Sequence, residues 1–464
     1  MNTIALKPAR ELLKRTTTRC PVCRKEVPGE VWREGVRPAQ VQLRRICPEH
    51  GESSTCLASD ARFYWLAKGA GEGSCCNGGA CCTAEGGESG TLGRNAAGRA
   101  GDPFETLSTC LALIEIVRSC NLSCPTCYAD SPLSPGGRVD AVPLDELKTR
   151  IEGVIARKGS IEILQLSGGE PTLHPEFFEL LEWVQTHPRI DYALVNTNGV
   201  KLAHDDAFRD RLAVAMSRGK VQFYLQFDGV QAAGQHALRG ADLRTTRLRA
   251  IERAAAMNLP VTLAMTVTAE NLPNVWEAIA FGLAHSTIHG ITFQPVFGSG
   301  RNPAARMGSA PSGSEARLNT ADILLAAVGQ SDGKLTFDDF TPLPCGDPNC
   351  ATLGYLLRLG DRVHSVSEFL DFTQLQGFLK DKIHYTLSDL SRCGCETEPL
   401  GALLKQLELK SSVAFRIMVK PFMDAWTWDQ DRIDRCCTHV IRPDGKLDSF
   451  CRYYSGFPDT LPVP

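Results

Sequence analysis

Short apolar runs and helical apolar patterns alternate along the middle of the chain. Runs typical of buried strands occur at Leu111–Val117, Ile161–Leu166, Ala193–Asn196, Val221–Phe227, Val261–Val267 and Ile291–Pro295. Patterns typical of helices follow these runs, at Leu144–Arg157, Pro175–Thr186, Asp205–Ser217, Leu243–Met257 and Val275–Ala284. Strands and helices that alternate in this way indicate a parallel sheet. About six units are visible, fewer than the eight of a closed barrel, so we predict an α/β fold built on a partial (βα)6, TIM-like barrel.

The segments on either side of this pattern differ from it. An alternating, strand-like stretch at Val41–Ile46 marks a small N-terminal unit, and residues 83–101 are rich in Gly, Ala and Ser. Beyond Pro295 come helical patterns at Thr320–Val328 and Val366–Leu379 and a β-like run at Val413–Val419. We predict four regions: a ribbon-like or rubredoxin-like metal-binding unit (1–70), a cysteine-rich knot with a flexible linker (71–109), the barrel (110–297) and a cysteine-rich C-terminal domain (298–464).

Composition excludes several classes of protein. Of 464 residues, 43% are hydrophobic and 22% are charged, as in ordinary globular proteins that bury a core. The net charge of −3 provides no basic field for nucleic acid. The longest apolar run is far shorter than the roughly 20 residues of a transmembrane segment. The N-terminus has no secretory signal pattern, so we expect a cytoplasmic protein.

The cysteine content is the exceptional feature. The chain has 19 cysteines, an odd number that cannot close entirely into disulfides. They occur in groups rather than singly, and in a chain without an export signal such groups indicate metal or redox chemistry.

The first group predicts a mononuclear metal site. Cys20 and Cys23 form one knuckle, and Cys47 and His50 form a second one after the alternating stretch. Three thiolates and an imidazole can complete a tetrahedral site for zinc or iron. Cys56 is an alternative to His50 as the fourth ligand, and a small strand pair without metal is the structural alternative.

A second motif, Cys120-Asn121-Leu122-Ser123-Cys124-Pro125-Thr126-Cys127-Tyr128, follows the first barrel strand directly. Three thiolates at this spacing can hold three corners of a 4Fe-4S cluster and leave the fourth iron open. Three structural thiols or a zinc site are the alternatives. The motif resembles that of the radical S-adenosylmethionine (SAM) superfamily. This resemblance implies that Cys120, Cys124 and Cys127 hold the catalytic cluster, that the open iron chelates SAM, and that a 5′-deoxyadenosyl radical is produced.

Further motifs of the superfamily follow later strands. They are Ser167-Gly168-Gly169-Glu170-Pro171, Asn196-Thr197-Asn198-Gly199, Gln226-Phe227-Asp228-Gly229 and Gln294-Pro295-Val296. The resemblance implies that Gly168, Gly169 and Glu170 hold the ammonium of SAM, and that Thr197 and Asn198 reach its ribose and carboxylate. It further implies that Asp228 contacts ribose or substrate and that Tyr128 stacks on the adenine. Read as structure alone, these motifs are ordinary turns, and Tyr128 is a core aromatic residue.

Over nearly the whole chain, the order of parts resembles the archaeal tetraether lipid synthase family, formerly described as dihydro-hydroxymethylpterin methyltransferase-like proteins. The shared parts include the two knuckles, Ser108-Thr109-Cys110 before the barrel, Cys345-Gly346-Asp347-Pro348-Asn349-Cys350, Cys436-Cys437 and Phe450-Cys451. The resemblance implies an auxiliary cluster held by Cys345, Cys350, Cys451 and one of Cys436 or Cys437, with Cys436 preferred. It implies another held by Cys76, Cys81, Cys82 and Cys110. The Cys75-Cys76 pair departs from the family spacing there, and Cys393 and Cys395 have no assigned partner.

These features predict a radical SAM enzyme that abstracts hydrogen from an unactivated carbon, with carbon–carbon coupling of lipid chains as the family's reaction. The expected partners are SAM, a reductant such as a flavodoxin or ferredoxin, and a lipid or other small substrate that could be gathered at a membrane surface. Peptide maturation, methyl transfer and non-catalytic electron transfer are alternatives. A long apolar cavity leading to Cys127 would favour lipid.

Overall fold

The computed structural model describes most of the chain. The described ranges are 10–64, 109–134, 137–216, 219–302, 317–343, 346–359, 362–368 and 414–457. Seven of the cysteines discussed above lie outside them: Cys75, Cys76, Cys81, Cys82, Cys345, Cys393 and Cys395. Most of the predicted helix Val366–Leu379 also lies outside them. None of the helices in these ranges has the length and apolar content needed to cross a membrane.

The N-terminal unit is a four-stranded antiparallel sheet. Its strands, in spatial as well as chain order, are β1 (Arg10–Arg19), β2 (Glu26–Glu34), β3 (Gln40–Cys47) and β4 (Gly51–Ala58). Val41 and Leu43 alternate with more exposed neighbours and are fully buried, as the two-residue period of a half-buried strand requires. The turns between β1 and β2 and between β3 and β4 carry the two knuckles.

The central region contains six parallel strands that are adjacent in chain order. They are β5 (Leu111–Val117), β6 (Ile161–Gly168), β7 (Ile190–Thr197), β8 (Val221–Gln226), β9 (Val261–Val267) and β10 (Ile288–Pro295). The connecting helices are α1 (Leu144–Lys158), α2 (Phe177–Thr186), α3 (Val200–His204), α4 (Asp206–Ala215), α5 (Gln235–Arg239), α6 (Arg244–Ala256) and α7 (Val275–Ala284). This alternation confirms the predicted α/β fold with six strand–helix units.

Helix α1 illustrates why these segments form. Leu147, Ile151, Val154 and Ile155 recur at helical spacing and are buried against the sheet. Asp145 and Glu146 lie in the first turn, where the positive end of the helix dipole favours them. The helix ends at Gly159, whose φ of 100° a residue with a side chain rarely adopts.

The C-terminal part of the chain extends the same sheet at both edges. Its elements are α8 (Thr320–Gln330), β11 (Phe340–Pro342), β12 (Thr352–Leu359), β13 (Arg362–Ser365), β14 (Ala414–Val419), α9 (Gln430–Asp434), β15 (Thr438–Ile441), β16 (Leu447–Ser449) and α10 (Phe450–Ser455). Strand β14 pairs parallel with β10, and β15 pairs parallel with β5. Across the remaining gap, Lys420 Nζ donates to Thr438 Oγ1 at 2.8 Å. Eight parallel strands therefore surround the interior, and two of them, β14 and β15, come from beyond residue 297. The boundaries of the four predicted regions stay a prediction.

The N-terminal sheet docks on this C-terminal part through a buried arginine. Arg45 donates to the carbonyl oxygens of Arg19, Ala425 and Trp426 at 2.6–3.0 Å, and to Thr55 Oγ1 at 2.6 Å. Only 2% of Arg45 is exposed, and this burial lowers its pKa to about 10. The contact couples the ribbon to the segment after β14.

Candidate active site and metal centre

The two knuckles bring four ligand atoms together. Atoms of Cys20, Cys23, Cys47 and His50 all lie within 4.8 Å of one another. The Cys23 and Cys47 sulfurs are 3.8 Å apart, and His50 Nδ1 lies 3.7 Å from Cys20 Sγ and 3.5 Å from Cys47 Sγ. A tetrahedron with metal–sulfur bonds of about 2.3 Å has edges of about 3.8 Å, so these separations fit one tetrahedral ion.

The chemistry of the four residues also suits a metal ion. Hydrogen bonding to His50 lowers the pKa of Cys47 to about 6, which favours the thiolate that a metal requires. Cys56 lies outside the group and faces a different cavity. Burial raises the pKa of Cys56 to about 11, so the structure favours His50 over Cys56 as the fourth member.

The three cysteines that follow β5 line one large cavity inside the barrel. Cys120, Cys124 and Cys127 share this cavity of about 1690 Å³, a volume that includes its solvent-open mouth. Burial raises the pKa of Cys120 to about 12 and also raises that of Cys124. Among the described residues, only the ribbon group brings three ligand atoms within 4.8 Å of one another. The wider spacing of the barrel cysteines is unsuited to a single ion but compatible with separate corners of a cluster.

Two glycines hold the start of the cysteine loop. A Cβ on Gly168 would lie 2.0 Å from Val117 O, and one on Gly169 would lie 2.1 Å from Ser119 O. Gly169 N donates to Val117 O at 2.8 Å, and Glu170 N donates to Ser119 O at 3.0 Å. The close approach that these glycines permit is therefore to the backbone leading into Cys120.

The Glu170 carboxylate connects the ends of β6 and β7. Its Oε1 accepts hydrogen bonds from Thr172 N, Thr172 Oγ1 and Thr197 Oγ1 at 2.6–3.3 Å, and its Oε2 accepts one from Asn198 N at 2.8 Å. The carboxyl group is 1% exposed, and burial raises its pKa while these donors oppose the shift. Since a carboxylate oxygen has two lone pairs, Oε2 retains an acceptor position at the cavity.

Asn198 also supports the cysteine loop. Its Nδ2 donates to Asn121 Oδ1 at 2.7 Å and lies 3.9 Å from Cys120 Sγ. Its Oδ1 accepts from Val200 N at 3.0 Å. Thr197 and Asn198, which were expected to reach SAM, thus have partners within the protein while both line the cavity.

Asp228 is placed differently from the expectation that it contacts ribose or substrate. It is fully buried, with φ of 62°, and is absent from the cavity wall. Arg239 binds it with two hydrogen bonds of 2.6 and 2.8 Å, Arg247 lies 3.1 Å away, and Thr266 N donates to it at 3.1 Å. These donors hold the carboxylate within the protein, and the contact of Asp228 with ribose or substrate stays a prediction.

Arg239 is a site residue that the motif analysis missed. It lines the cavity and binds Asp228, and its charge opposes the burial that raises the pKa of Cys124. In the sequence, Arg239 is marked only by its position ten residues after Gly229, and an arginine at such a position does not indicate a functional site. Arg301 was missed for the same reason, although it donates to Cys124 O at 3.3 Å and to Asp130 Oδ1 at 2.9 Å.

Tyr128 lies in an aromatic group that joins the cysteine loop to α10. Its ring centroid is 4.9 Å from that of Tyr454 and 5.6 Å from that of Phe450. Burial raises the pKa of Tyr128. The ring still lines the cavity, so the adenine contact expected for it stays a prediction.

Three of the thiols expected to form the C-terminal cluster, those of Cys350, Cys436 and Cys451, lie near one another. Arg432 is buried beside Cys350 and Cys451, and its charge opposes the burial that raises the pKa of both thiols. Cys436 lies close enough to Cys350 and Cys451 for their charges to raise its pKa further. Cys437 also lies close enough to Cys350 and Cys436 for its charge to raise the pKa of both thiols, and it packs with Cys110, whose N–H donates to Cys437 O at 3.0 Å.

Known proteins carry the same two units. Residues 114–282 match the model of the radical SAM superfamily, and residues 12–59 match the HMPTM N-terminal zinc ribbon domain. The chain therefore contains a radical SAM domain, and it is an enzyme with this α/β fold. The superfamily implies a 4Fe-4S cluster and SAM as cofactors, and the ribbon provides a metal site.

The chain is similar to named members of this superfamily. It is 25% identical to the 7,8-dihydro-6-hydroxymethylpterin dimethyltransferase of Methanocaldococcus jannaschii, over 95% of this chain and 93% of that protein. It is 30% identical to the GTP 3′,8-cyclase of Synechococcus elongatus, over 35% of this chain and 48% of the cyclase. Among solved structures, Streptococcus suis SuiB bound to SAM is 15% identical with a TM-score of 0.36, covering 48% of this chain and 47% of that one.

Proposed function

We propose that Cys120, Cys124 and Cys127 ligate the 4Fe-4S cluster, and that the enzyme abstracts hydrogen from an unactivated carbon of a substrate inside the barrel. The observation that carries this proposal is the shared cavity of the three cysteines at the carboxyl end of β5. When bound, cluster and SAM together supply a 5′-deoxyadenosyl radical. The protein holds the cysteine loop, orients SAM and excludes water from the radical.

Glu170 is the residue that we assign to the ammonium of SAM. Thr172 and Thr197 occupy Oε1, and Oε2 has a single protein donor, so Oε2 is the available acceptor. Gly168 and Gly169 act indirectly, because they let the strand end pack against the backbone before Cys120.

For the substrate, we propose coupling of lipid chains, as in the tetraether lipid synthases. The order of parts along nearly the whole chain supports this proposal. One cavity wall also supports it, since Leu111, Leu113, Ile163 and Leu194 from β5, β6 and β7 face the interior. Such a wall offers apolar surface to a hydrocarbon chain. Gathering lipid would require contact with a membrane surface.

Methylation of a pterin-like compound is a second candidate function. The relative from Methanocaldococcus jannaschii bears the name of a dimethyltransferase of 7,8-dihydro-6-hydroxymethylpterin. The opposite cavity wall supports this candidate, because Gln226, Thr262, Thr292 and Gln294 offer hydrogen-bonding groups to a polar ring.

We further propose zinc in the ribbon, held by Cys20, Cys23, Cys47 and His50, in keeping with the family model that these residues match. The arrangement around Arg432 supports an auxiliary cluster on Cys350, Cys436 and Cys451, with Cys345 as fourth ligand. We also propose a second auxiliary cluster on Cys76, Cys81, Cys82 and Cys110. The proposed reductant is a flavodoxin or ferredoxin.

Anaerobic reconstitution tests the central proposal. Iron, sulfide and zinc are counted per chain, and dithionite-dependent release of 5′-deoxyadenosine is measured with SAM. Lipid extracts, dihydropterins and peptides are then compared as stimulants of release, and products are identified by mass. Lipid coupling, pterin methylation and peptide maturation predict different products.

Cys124→Ala should abolish 5′-deoxyadenosine release while zinc and the C-terminal cluster remain. Cys56→Ala is the matched control, since this thiol lies outside the three-cysteine cavity and outside the ribbon group. Persistent release by the Cys124 variant would show that the cluster ligands are assigned wrongly.

A further inference from the structure

An arginine lies inside the barrel on the wall opposite the apolar side chains. Arg416, Met418 and Lys420 occupy alternate positions along β14 and its end, and all three line the barrel cavity. Side chains two residues apart on a strand share one face, so this face of β14 points inward. The interiors of parallel barrels are normally filled by bulky branched side chains.

The register of neighbouring strands explains why the interior is open at Arg416. Tyr224 pairs with Thr262, Thr262 with Gly290, and Gly290 with Arg416. A Cβ at Gly290 would lie 2.5 Å from Arg416 O and 3.1 Å from Arg416 Cβ. This layer therefore consists of the Tyr224 phenol, the Thr262 hydroxyl, Gly290 without a side chain and the Arg416 guanidinium.

Three other arginines of the barrel have evident partners. Arg239 and Arg247 bind Asp228, and Arg358 donates to the carbonyl oxygens of Gly282 and Ile288 at 2.9 and 2.7 Å. Arg416 has no ion pair and no side-chain hydrogen bond with any residue in the described ranges. The titratable groups that interact electrostatically with Arg416 include Tyr192, Tyr224 and His289. Its charge opposes the burial that raises the pKa of both tyrosines, and burial together with Arg358 and Arg416 lowers the pKa of His289.

Apart from the three cysteines, the side chains of the cavity wall have an excess of positive charge. Arg239, Arg416 and Lys420 line the cavity, with Glu170 as its carboxyl group. Arg239 is neutralised by Asp228, whereas Lys420 forms no ion pair with a carboxylate of the described residues; it donates to the Thr438 hydroxyl and lies 5.7 Å from the centre of the Phe422 ring. A partly buried cation loses favourable hydration, and an ion pair with a bound anion would offset that cost.

We propose that Arg416 forms an anion subsite inside the barrel, which binds a phosphate or carboxylate group of the substrate. A guanidinium presents paired N–H donors that match the oxygens of either group. Such a contact selects a substrate with an anionic group and orients it relative to the cysteines at the top of the cavity. The inference rests on the proposed function in one respect, namely that the substrate occupies this cavity.

Equilibrium binding to the reconstituted enzyme, with SAM but without reductant, tests the subsite. The probes are dioctanoyl phosphatidate, dioctanoylglycerol, octanoate and inorganic phosphate. We expect the wild-type enzyme to bind phosphatidate at least about tenfold more tightly than dioctanoylglycerol, because a charged hydrogen-bonded contact of this kind is worth a tenfold change or more. Arg416→Gln should remove that preference, Arg416→Lys should restore part of it, and the exposed Arg189→Gln should retain it.

The probes also distinguish the source of the anion. Tight binding of phosphatidate with weak binding of inorganic phosphate indicates a lipid headgroup, and equal binding of both indicates a small free anion. Either result supports the subsite when Arg416→Gln abolishes it. Equal affinity of phosphatidate for the wild type and Arg416→Gln overturns the proposal, as does a wild-type enzyme that binds none of the three anionic probes.

A measurement on the wild type guards against a variant that fails to fold. Phenylglyoxal modifies accessible guanidinium groups, and bound phosphatidate or phosphate should protect Arg416 at least about tenfold in peptide mass spectra while Arg189 stays reactive. Unprotected Arg416 would contradict the subsite. Release of 5′-deoxyadenosine is measured separately, so that its absence would refute the radical reaction without affecting the binding result.

Discussion

The ribbon and the barrel both present sulfur ligands on short loops, but the loops are held in different ways. In the ribbon, the ligands come from two turns of one small sheet, and Cys23 and Cys47 are 3.8 Å apart. In the barrel, all three cysteines come from one loop, which is held by residues far away in the sequence. Gly169, Asn198 and Arg301 each contact that loop from the end of a different strand. A mononuclear site can thus be completed locally, whereas the cluster site depends on the assembled barrel.

Gly169→Ala provides the strongest test of this difference. A Cβ at this position would lie 2.1 Å from Ser119 O, so the backbone before Cys120 has to move. A displacement of about 1 Å can cost roughly 100-fold in rate, and we expect at least that loss in 5′-deoxyadenosine release. Zinc content should not change, because the ribbon ligands come from the turns of a separate sheet.

Gly329→Ala is the matched control for that variant. Gly329 lies in α8, and a Cβ there has open space within 4 Å. The substitution should preserve activity and stabilise the helix by about 1 kcal/mol. If Gly169→Ala retained full activity and iron content, the cysteine loop would not depend on the strand end that carries Glu170.

Arg45→Met tests whether the ribbon can keep its metal when its docking is weakened. The variant leaves the carbonyl oxygens of Arg19, Ala425 and Trp426 without their donor. Loss of partners for buried polar groups should lower the free energy of unfolding by about 3 kcal/mol. Thermal unfolding followed by circular dichroism measures the loss, and a chromogenic chelator measures zinc.

Arg44→Met serves as the comparison, since Arg44 forms partly exposed ion pairs with Glu34 and Glu52. Such pairs contribute about 0–1 kcal/mol, so the free energy of unfolding of the Arg44→Met variant should differ little from that of the wild type. If Arg45→Met released zinc at the temperature where the wild type retains it, the metal site would depend on docking and the contrast with the barrel would be weaker than we infer.

Much of the fold and part of the site could be predicted from the sequence. The strands β5 to β10 were predictable because apolar runs of strand length alternate with helical patterns. The ribbon ligands were predictable because each knuckle is local. The partners of Asp228 were not, since Arg239 and Arg247 reach it only after α5 and α6 pack on β8. The position of the motif predicted a ligand contact for Asp228, which stays a prediction, but it did not predict the two arginines that bind the carboxylate.

The inward position of Arg416 could not be predicted from the sequence, for a related reason. The run Val413–Val419 was predicted as β-like, but its pairing with β10 brings together residues far apart in the sequence. Nothing in the local pattern around Arg416 indicates that the strand would close one side of the barrel. Long-range strand pairing, rather than local propensity, decides which side chains line this cavity.

Arg239→Gln should shift the properties of the cluster without removing a cysteine. The wild-type guanidinium lies close enough to Cys124 to oppose the rise in the pKa of that thiol, and the same positive charge would stabilise the more negative, reduced form of a cluster held there. Loss of about 1.4 kcal/mol of this stabilisation would lower a one-electron midpoint potential by about 60 mV. Redox titration followed by electron paramagnetic resonance measures the shift, and Arg239→Lys should recover part of it. An unchanged potential would limit Arg239 to a packing role with Asp228.

The smallest effect concerns thiol ionisation in the metal-free ribbon. Hydrogen bonding to His50 lowers the pKa of Cys47 to about 6 from an ordinary value of 9.0, whereas burial raises that of Cys56 to about 11. Because the folded-state pKa of Cys47 is lowered, its contribution to stability is complete above the ordinary value and is lost as pH falls through about 6. Ultraviolet thiolate absorbance of the chelator-treated wild type minus Cys47→Ser should therefore rise near pH 6. The corresponding difference for Cys56→Ser should rise only near pH 11. A Cys47 transition near pH 9 would mean that the ribbon does not preform its ligands, so that metal binding itself, rather than the local fold, assembles this site.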